Sequence, residues 1–320
     1  MVQTALHAAS SAHDIEQLLQ TELTAADAAM ANTRPIMRHL LRNDDHSIFS
    51  DEIVARVRGL LRDIARQIVI ALGEAAGEAD PQAWAHEASD ELAAAFIDNP
   101  ALLGHAHALA IEWQLCERLQ TRLALDPVLP PLVQSLVASG DDEAAATAMA
   151  FIAAQARFGQ NLRRMELPVT ELPADLFRLV LTTMNAHLAD SVEAGAHAAS
   201  AEAALRLRHE ERRSRFGLIE RLITGLQGDA VRALSIEHAG ISLFLTGLAI
   251  GSGQDRDTVA LTTTESQLSR LALSLAACGL KADAVAAQFL ALHPDITLPE
   301  GLDALRPDRA AAILSLANPA

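Results

Sequence analysis

Five arginines stand within ten positions, Arg206, Arg208, Arg212, Arg213 and Arg215, with His209, Glu210 and Glu211 among them. A guanidinium is a planar fork that grips a carboxylate or a phosphate through two parallel hydrogen bonds, so such a cluster is suited to docking an acidic partner. If the segment is one helix, Arg208 lies four before Arg212 and Glu211 four before Arg215, spacings that also let charges interact along the helix. Two readings stay open: a docking face, and a solvated face laced with salt bridges. The five arginines are carried forward as the candidate interaction residues. Arg34, Arg38 and Arg42, at steps of four, form a second stripe with the same ambiguity.

The remaining chemistry-bearing residues are less specific. Of twelve histidines, His105 and His107 are two apart, about 200° around a helix, and would not share one metal there. His86-Glu87 and His209-Glu210 begin like a zinc-protease helix, but neither has a second histidine where the second ligand must fall. Gly251-Ser252-Gly253 follows an apolar run and lacks the Gly-Lys-Ser/Thr ending of a phosphate loop. It reads as a helix terminator with glycine in the left-handed conformation. The paired carboxylates Asp44-Asp45, Asp51-Glu52, Asp141-Asp142 and Glu210-Glu211 sit at or near helix starts or in charged runs, where the helix dipole accounts for them. No serine or cysteine carries a local nucleophile signature. The sequence thus assigns no catalytic, metal-ligating or cofactor-binding residue, and no cofactor is expected.

What must position these side chains is helix. Half of the residues are hydrophobic, much of that alanine; aromatics make up 3% and tyrosine is absent. Alanine is the best helix former, while strands favour β-branched and aromatic residues. Basic residues are almost all arginine, Lys281 being the one lysine, a usage that fits a GC-rich genome. The net charge of −16 argues against nucleic acid and against anionic membrane, since phosphate neutralisation needs a basic surface. Met1 to Ser11 lacks the pattern of a signal peptide, and no apolar run approaches the roughly 18 residues that a membrane span needs. Cys116 and Cys278 lie in separate apolar helical runs and read as reduced thiols of a cytoplasmic protein.

Along the chain, Ile15, Leu18, Leu19 and Leu23 predict a first short helix. Thr24 with Asp27 reads as a capping box for the next, which Pro35 interrupts or restarts. Ile53, Val57, Leu60, Leu61, Ile64 and Ile68 predict an amphipathic helix over 50–72. Asp80-Pro81 opens a helix to about Ile97, Asn99-Pro100 another to Leu125, Pro130-Pro131 a short one, and Asp141-Asp142 a helix to Phe158. The proline-bearing stretch 161–173 is the expected connection between a lobe at 1–160 and a lobe at 174–320, unless one continuous unit absorbs it. A long helical segment is expected over Ser191 to Gln227, then shorter helices, with the apolar run Ile241 to Ile250 at the centre of a core or in an interface.

From about Asp126 onward the chain resembles an uncharacterised bacterial all-helical family, domain of unknown function 2336. The resemblance lies in Ala154-Gln155-Ala156-Arg157-Phe158, Arg163-Arg164-Met165-Glu166-Leu167-Pro168 and Glu171-Leu172-Pro173-Ala174-Asp175-Leu176-Phe177, then Leu243-Phe244 and Cys278-Gly279-Leu280. It implies helices throughout and carries over no functional residue. The expectation is therefore an all-α protein of stacked helical hairpins, acting as a non-enzymatic interaction or regulatory module. Its partner would be a protein, acidic by the logic of the arginines, with a second copy of the chain left open. The alternative is a small-molecule binder with an apolar pocket between helices.

Overall fold

The computed structural model describes residues 12–42, 52–188, 192–296, 298 and 301–316. Helix makes up 84% of the described residues and no strand occurs among them, so the all-α expectation holds. Among the described residues fifteen α-helices follow one another. The first nine are α1 (Ala12–Arg42), α2 (Glu52–Ala76), α3 (Pro81–Ala88), α4 (Asp90–Asp98), α5 (Pro100–Leu123), α6 (Pro131–Val137), α7 (Asp142–Arg163), α8 (Ala174–His187) and α9 (Val192–Arg208). The rest are α10 (Arg215–Gly225), α11 (Ile236–Ser252), α12 (Arg256–Thr262), α13 (Leu268–Ala277), α14 (Ala282–Leu292) and α15 (Pro307–Leu316).

Local signals place many of the boundaries. The Asp80 carboxylate accepts the Ala83 N–H and starts α3, with Pro81 in its first turn. Asn99 Oδ1 accepts from Ala101 and Leu102 at the start of α5, and Asp141 Oδ1 from Glu143 and Ala144 at the start of α7. These side chains satisfy N–H groups that a first turn otherwise leaves open. The helix opened by Pro81 stops at Ala88, and α4 begins afresh at Asp90. Gly253, with φ of +68°, closes α11 in the left-handed conformation expected of the Gly251-Ser252-Gly253 run.

Two expectations fail at the amino-terminal end. The capping box at Thr24 does not form: α1 runs 31 residues through both Thr24 and Pro35. The Thr24 hydroxyl donates back to the Gln20 carbonyl, and the Asp27 carboxylate pairs with Arg270 of α13 instead of capping. Burial explains the continuity, because Ile15, Leu19, Leu23, Ala26 and Met30 form one unbroken buried stripe. Asn43-Asp44-Asp45, a polar run whose residue types signal a turn after this helix, lies outside the described residues.

The chain groups into two compact units, each discontinuous in sequence. One gathers Met1–Thr33, Gln114–Ala148 and Ile219–Ala320; the other gathers Arg34–Trp113 and Met149–Leu218. The divisions fall within α1, α5, α7 and α10. In the first unit α11 is the core: Leu243, Phe244, Leu245 and Leu248 are buried, with α6, α12, α13 and α14 against it. The helix is interrupted at Gly240 (φ +73°), where a β-carbon would stand 3.0 Å from Pro130. In the second unit α2 is the centre, packed against α3, α4 and α9 with Val57, Leu60, Leu61, Ile64 and Ile68 buried.

The stretch 161–173, expected as a connection between lobes, lies wholly within the second unit and is tied to α2. Asp63 Oδ2 accepts the Leu167 N–H at 2.9 Å. Gln67 Oε1 accepts the Val169 N–H at 3.0 Å, while its Nε2 donates to the Leu167 carbonyl at 2.9 Å. Leu167, Val169 and Leu172 are buried, so this stretch, with its 3₁₀ turn at Val169–Glu171, is inserted into the unit. Met165 enters the stretch with φ of +58°, and its side chain lies over Gly59, whose added β-carbon would stand 2.5 Å from it.

Replacing Asp63 by alanine leaves the buried Leu167 N–H without an acceptor and is expected to destabilise the protein by about 1–3 kcal/mol. Urea unfolding of Asp63→Ala against Asp63→Asn, which keeps an acceptor, measures this. Trypsin should cut slowly after Arg163 and Arg164 in the unaltered protein and faster in Asp63→Ala.

Candidate functional site

The five arginines do not share a helix. α9 ends at Arg208, a single 3₁₀ turn spans Glu211–Arg213, and α10 begins at Arg215. The expected pairing of Glu211 with Arg215 along a helix therefore cannot form. His209 leaves the helix to stack on Phe177, ring centres 4.1 Å apart and planes within 7°, with Nε2 2.9 Å from the Leu172 carbonyl. Gly217 permits the sharp turn, since a β-carbon there would stand 2.3 Å from the Glu211 carbonyl oxygen.

Two carboxylates cross over at this corner. Glu171, just before α8, accepts the Arg215 N–H at 2.8 Å and so caps α10. Glu211, just before α10, accepts the Ala174 N–H at 3.0 Å and caps α8. Each helix start is thus satisfied by the other's turn, an exchange across 44 and 37 residues that no local motif announces.

Arg215 itself is buried, only 3% exposed, and is withdrawn from any docking surface. Its guanidinium forms two parallel hydrogen bonds to Glu112 of α5, 2.7 Å to Oε1 and 3.1 Å to Oε2, and a third to Gln155 Oε1 of α7 at 3.3 Å. It also lies over the rings of Phe158 and Phe216, 3.7 and 4.5 Å from their centres. Three of the other four candidates pair with nearby carboxylates: Arg206 with Glu202 at 2.8 Å, Arg208 with Glu74 at 3.6 Å, Arg213 with Glu210 at 3.3 Å. Arg212 is exposed. In the second stripe Arg34 lies against Gly104 and Arg38 is exposed, while the side chain of Arg42 is outside the described residues.

A different surface of the second unit combines shape with an anchoring side chain. Trp84, on α3, is 36% exposed and stands between two clefts of about 370 and 410 Å³. Leu72, Trp84 and Leu188 line both, so the clefts run together into one groove. Val69, Leu92 and Met184 deepen one side and Ala76 and Ala194 the other. Gly73 brings α3 onto α2, as a β-carbon there would stand 2.9 Å from the Trp84 ring. Glu78, Asp90 and Glu91 border the groove with His187 and His197; among the described residues no lysine or arginine lines it. His187 Nε2 is 3.5 Å from Glu91.

Sequence reasoning passed over this groove because Trp84 sits alone in Pro81–Ala88, and its neighbours come from α2, α4, α8 and α9. An exposed tryptophan on a short helix was the one signal available. As to other chemistry, burial pushes the Cys278 thiol up to about 12, which makes it a poor nucleophile at neutral pH. Among the described residues no three His, Cys, Asp or Glu side chains gather as a metal set. None of the described helices alone is long and apolar enough to cross a membrane.

Removing one partner of the buried pair leaves an uncompensated charge, so Glu112→Gln should cost about 3–5 kcal/mol. Arg206→Ala or Arg208→Ala should each cost no more than about 1 kcal/mol, because exposed pairs contribute little. Chemical denaturation of the three variants tests the contrast, and any charge reversal that includes Arg215 would report on folding rather than on docking. Comparison with protein-family models, with curated proteins and with solved structures returns no match for the chain.

Proposed function

We propose that the protein is a non-enzymatic interaction module whose docking surface is the groove around Trp84. The observation that carries this reading is an exposed tryptophan between two clefts that share Leu72 and Leu188, one of them extended by Val69, Leu92 and Met184. Tryptophan is the residue type most often found as an energetic anchor of interfaces, where it is desolvated against a partner's apolar side chains. Grooves of this kind accept one face of an amphipathic helix. The border of Glu78, Asp90 and Glu91 adds a charge preference. The partner helix would carry lysine or arginine beside its apolar stripe, since like charges at a rim are penalised and opposite ones steer association.

This places the docking chemistry on carboxylates, where the sequence directed attention to arginines. Of those five, one is buried and three are engaged with carboxylates of the same chain, which leaves little bidentate capacity for an acidic partner. The proposal is for a cytoplasmic protein, in keeping with two cysteines held as thiols. Membership of the helical family that residues 126–320 resemble is part of the same proposal and adds no partner to it.

Trp84→Ala should weaken capture of the partner from native cells by about thirtyfold or more, the scale of an interface anchor. The paired reversal Asp90→Arg with Glu91→Arg should weaken it while leaving the melting temperature within a few degrees. In a Trp113→Phe background, the Trp84 fluorescence should shift to shorter wavelength when a basic amphipathic helical peptide is added. Unchanged capture by both variants, with no fluorescence shift, would refute the groove as the docking surface.

A further inference from the structure

The second unit also holds a cavity of about 180 Å³ beside the buried ion pair, lined from α5, α7, the 161–173 stretch and α10. At roughly 10–15 Å³ per water-sized sphere, this is room for about a dozen non-hydrogen atoms. Its inner wall is apolar: Leu109, Phe158, Leu162, Leu167 and Phe216. The groove around Trp84 shares no residue with it.

The charges on its walls sort themselves. Arg215 is already matched by Glu112, and one oxygen of Glu171 is taken by the first N–H of α10, at the positive end of that helix. Glu171 keeps its second oxygen free, and two further charges, Arg157 and Glu166, form no ion pair among the described residues, with each other or with anything else. Two opposite unpaired charges on one small cavity, held apart from each other, fit a ligand that carries both signs. Asn161 stands one turn after Arg157 on the same face of α7, an amide that can donate to the group the guanidinium binds. Thr170 adds a hydroxyl able to accept from a donor.

We infer that this cavity is a binding site for a free α-amino acid with an apolar side chain. Arg157 and Asn161 would take its carboxylate, Glu166 and Thr170 its ammonium group, and the leucine and phenylalanine wall its side chain. A simple anion would engage only Arg157 and Asn161, and a simple amine only Glu166 and Thr170, so each forgoes half of the polar wall. Ordinary ligand pockets combine an apolar body with a few convergent polar groups in this way.

The test is calorimetric titration of the full chain with L-leucine, 4-methylpentanoate and 3-methylbutylamine, which share a side chain but differ in charged groups. L-Leucine should bind saturably at one site per chain, and each analogue should bind at least tenfold more weakly. Arg157→Ala and Glu166→Gln should each weaken L-leucine binding about tenfold or more, as expected for a lost charged hydrogen bond. Both side chains reach solvent, so the melting curves should not move. Trp84→Ala should leave the binding unchanged, which keeps this result separate from that of the docking groove. The inference is overturned by absence of saturable heat with L-leucine, L-valine, L-methionine and L-phenylalanine, by equal binding of either analogue, or by unchanged binding in both charge variants.

Discussion

The Arg215–Glu112 pair constrains the second unit more than any other single contact. Two full charges, 3% and 0% exposed, have been taken out of water, and desolvation at that scale is tolerated only if every charged atom is matched. The match comes from α5, α7 and α10 at once: two carboxylate oxygens, a glutamine amide and two aromatic faces. The geometry of Glu112 and Gln155 fixes where the guanidinium must sit. That in turn requires the chain to leave α9 at Arg208, turn through Glu211–Arg213 and begin α10 afresh. The crossed caps of Glu171 and Glu211 then hold the starts of α8 and α10 at the same corner.

The first unit meets a similar demand with a different distribution. Its centre, α11, is apolar nearly all round, and a polar network lies at α13 and the turn before it. Arg270, 1% exposed, pairs with Asp27 and donates to Gln254 Oε1 at 3.0 Å, while Gln254 Nε2 reaches the Ser274 hydroxyl at 2.6 Å. Gln267 Nε2 donates to the Ala26 carbonyl at 2.6 Å, a second tie to α1. Such contacts contribute little net stability relative to apolar packing, but a half-made network is worse than none. They select one register of α1 over its neighbours, where an alanine-rich surface alone would discriminate weakly.

Alanine has a further consequence for function. Small side chains let helices approach closely, so the rare large residues decide where surface relief occurs. Trp84 is raised above α2 at a glycine, and Phe158 and Phe216 bound a cavity whose lining also includes leucines, Arg157 and part of the 161–173 stretch. With aromatics at 3% of the chain, an exposed tryptophan is not a statistical remainder of a crowded core. The groove and the cavity belong to the same unit yet differ in kind. One is open and bordered by carboxylates; the other is small, with charges of both signs on its wall.

Helix content, the starts of α3, α5 and α7 and the close of α11 were legible in the sequence, because a cap acts over two or three residues and periodicity acts within one helix. What the sequence could not disclose was partnership at a distance. Nothing local distinguishes Arg215 from Arg212 or Arg213, and only a glutamate 103 residues earlier makes it a buried charge. Thr24 and Asp27 carry the letters of a capping box, yet α1 passes through them: a buried stripe holds the helix continuous, and Arg270 of α13 takes the Asp27 carboxylate. Prolines in 161–173 signal a break in helix equally well for a linker and for an inserted strap. Tertiary structure decided between them, since only the folded chain brings Asp63 and Gln67 to backbone groups about a hundred residues away, where a buried N–H must find an acceptor.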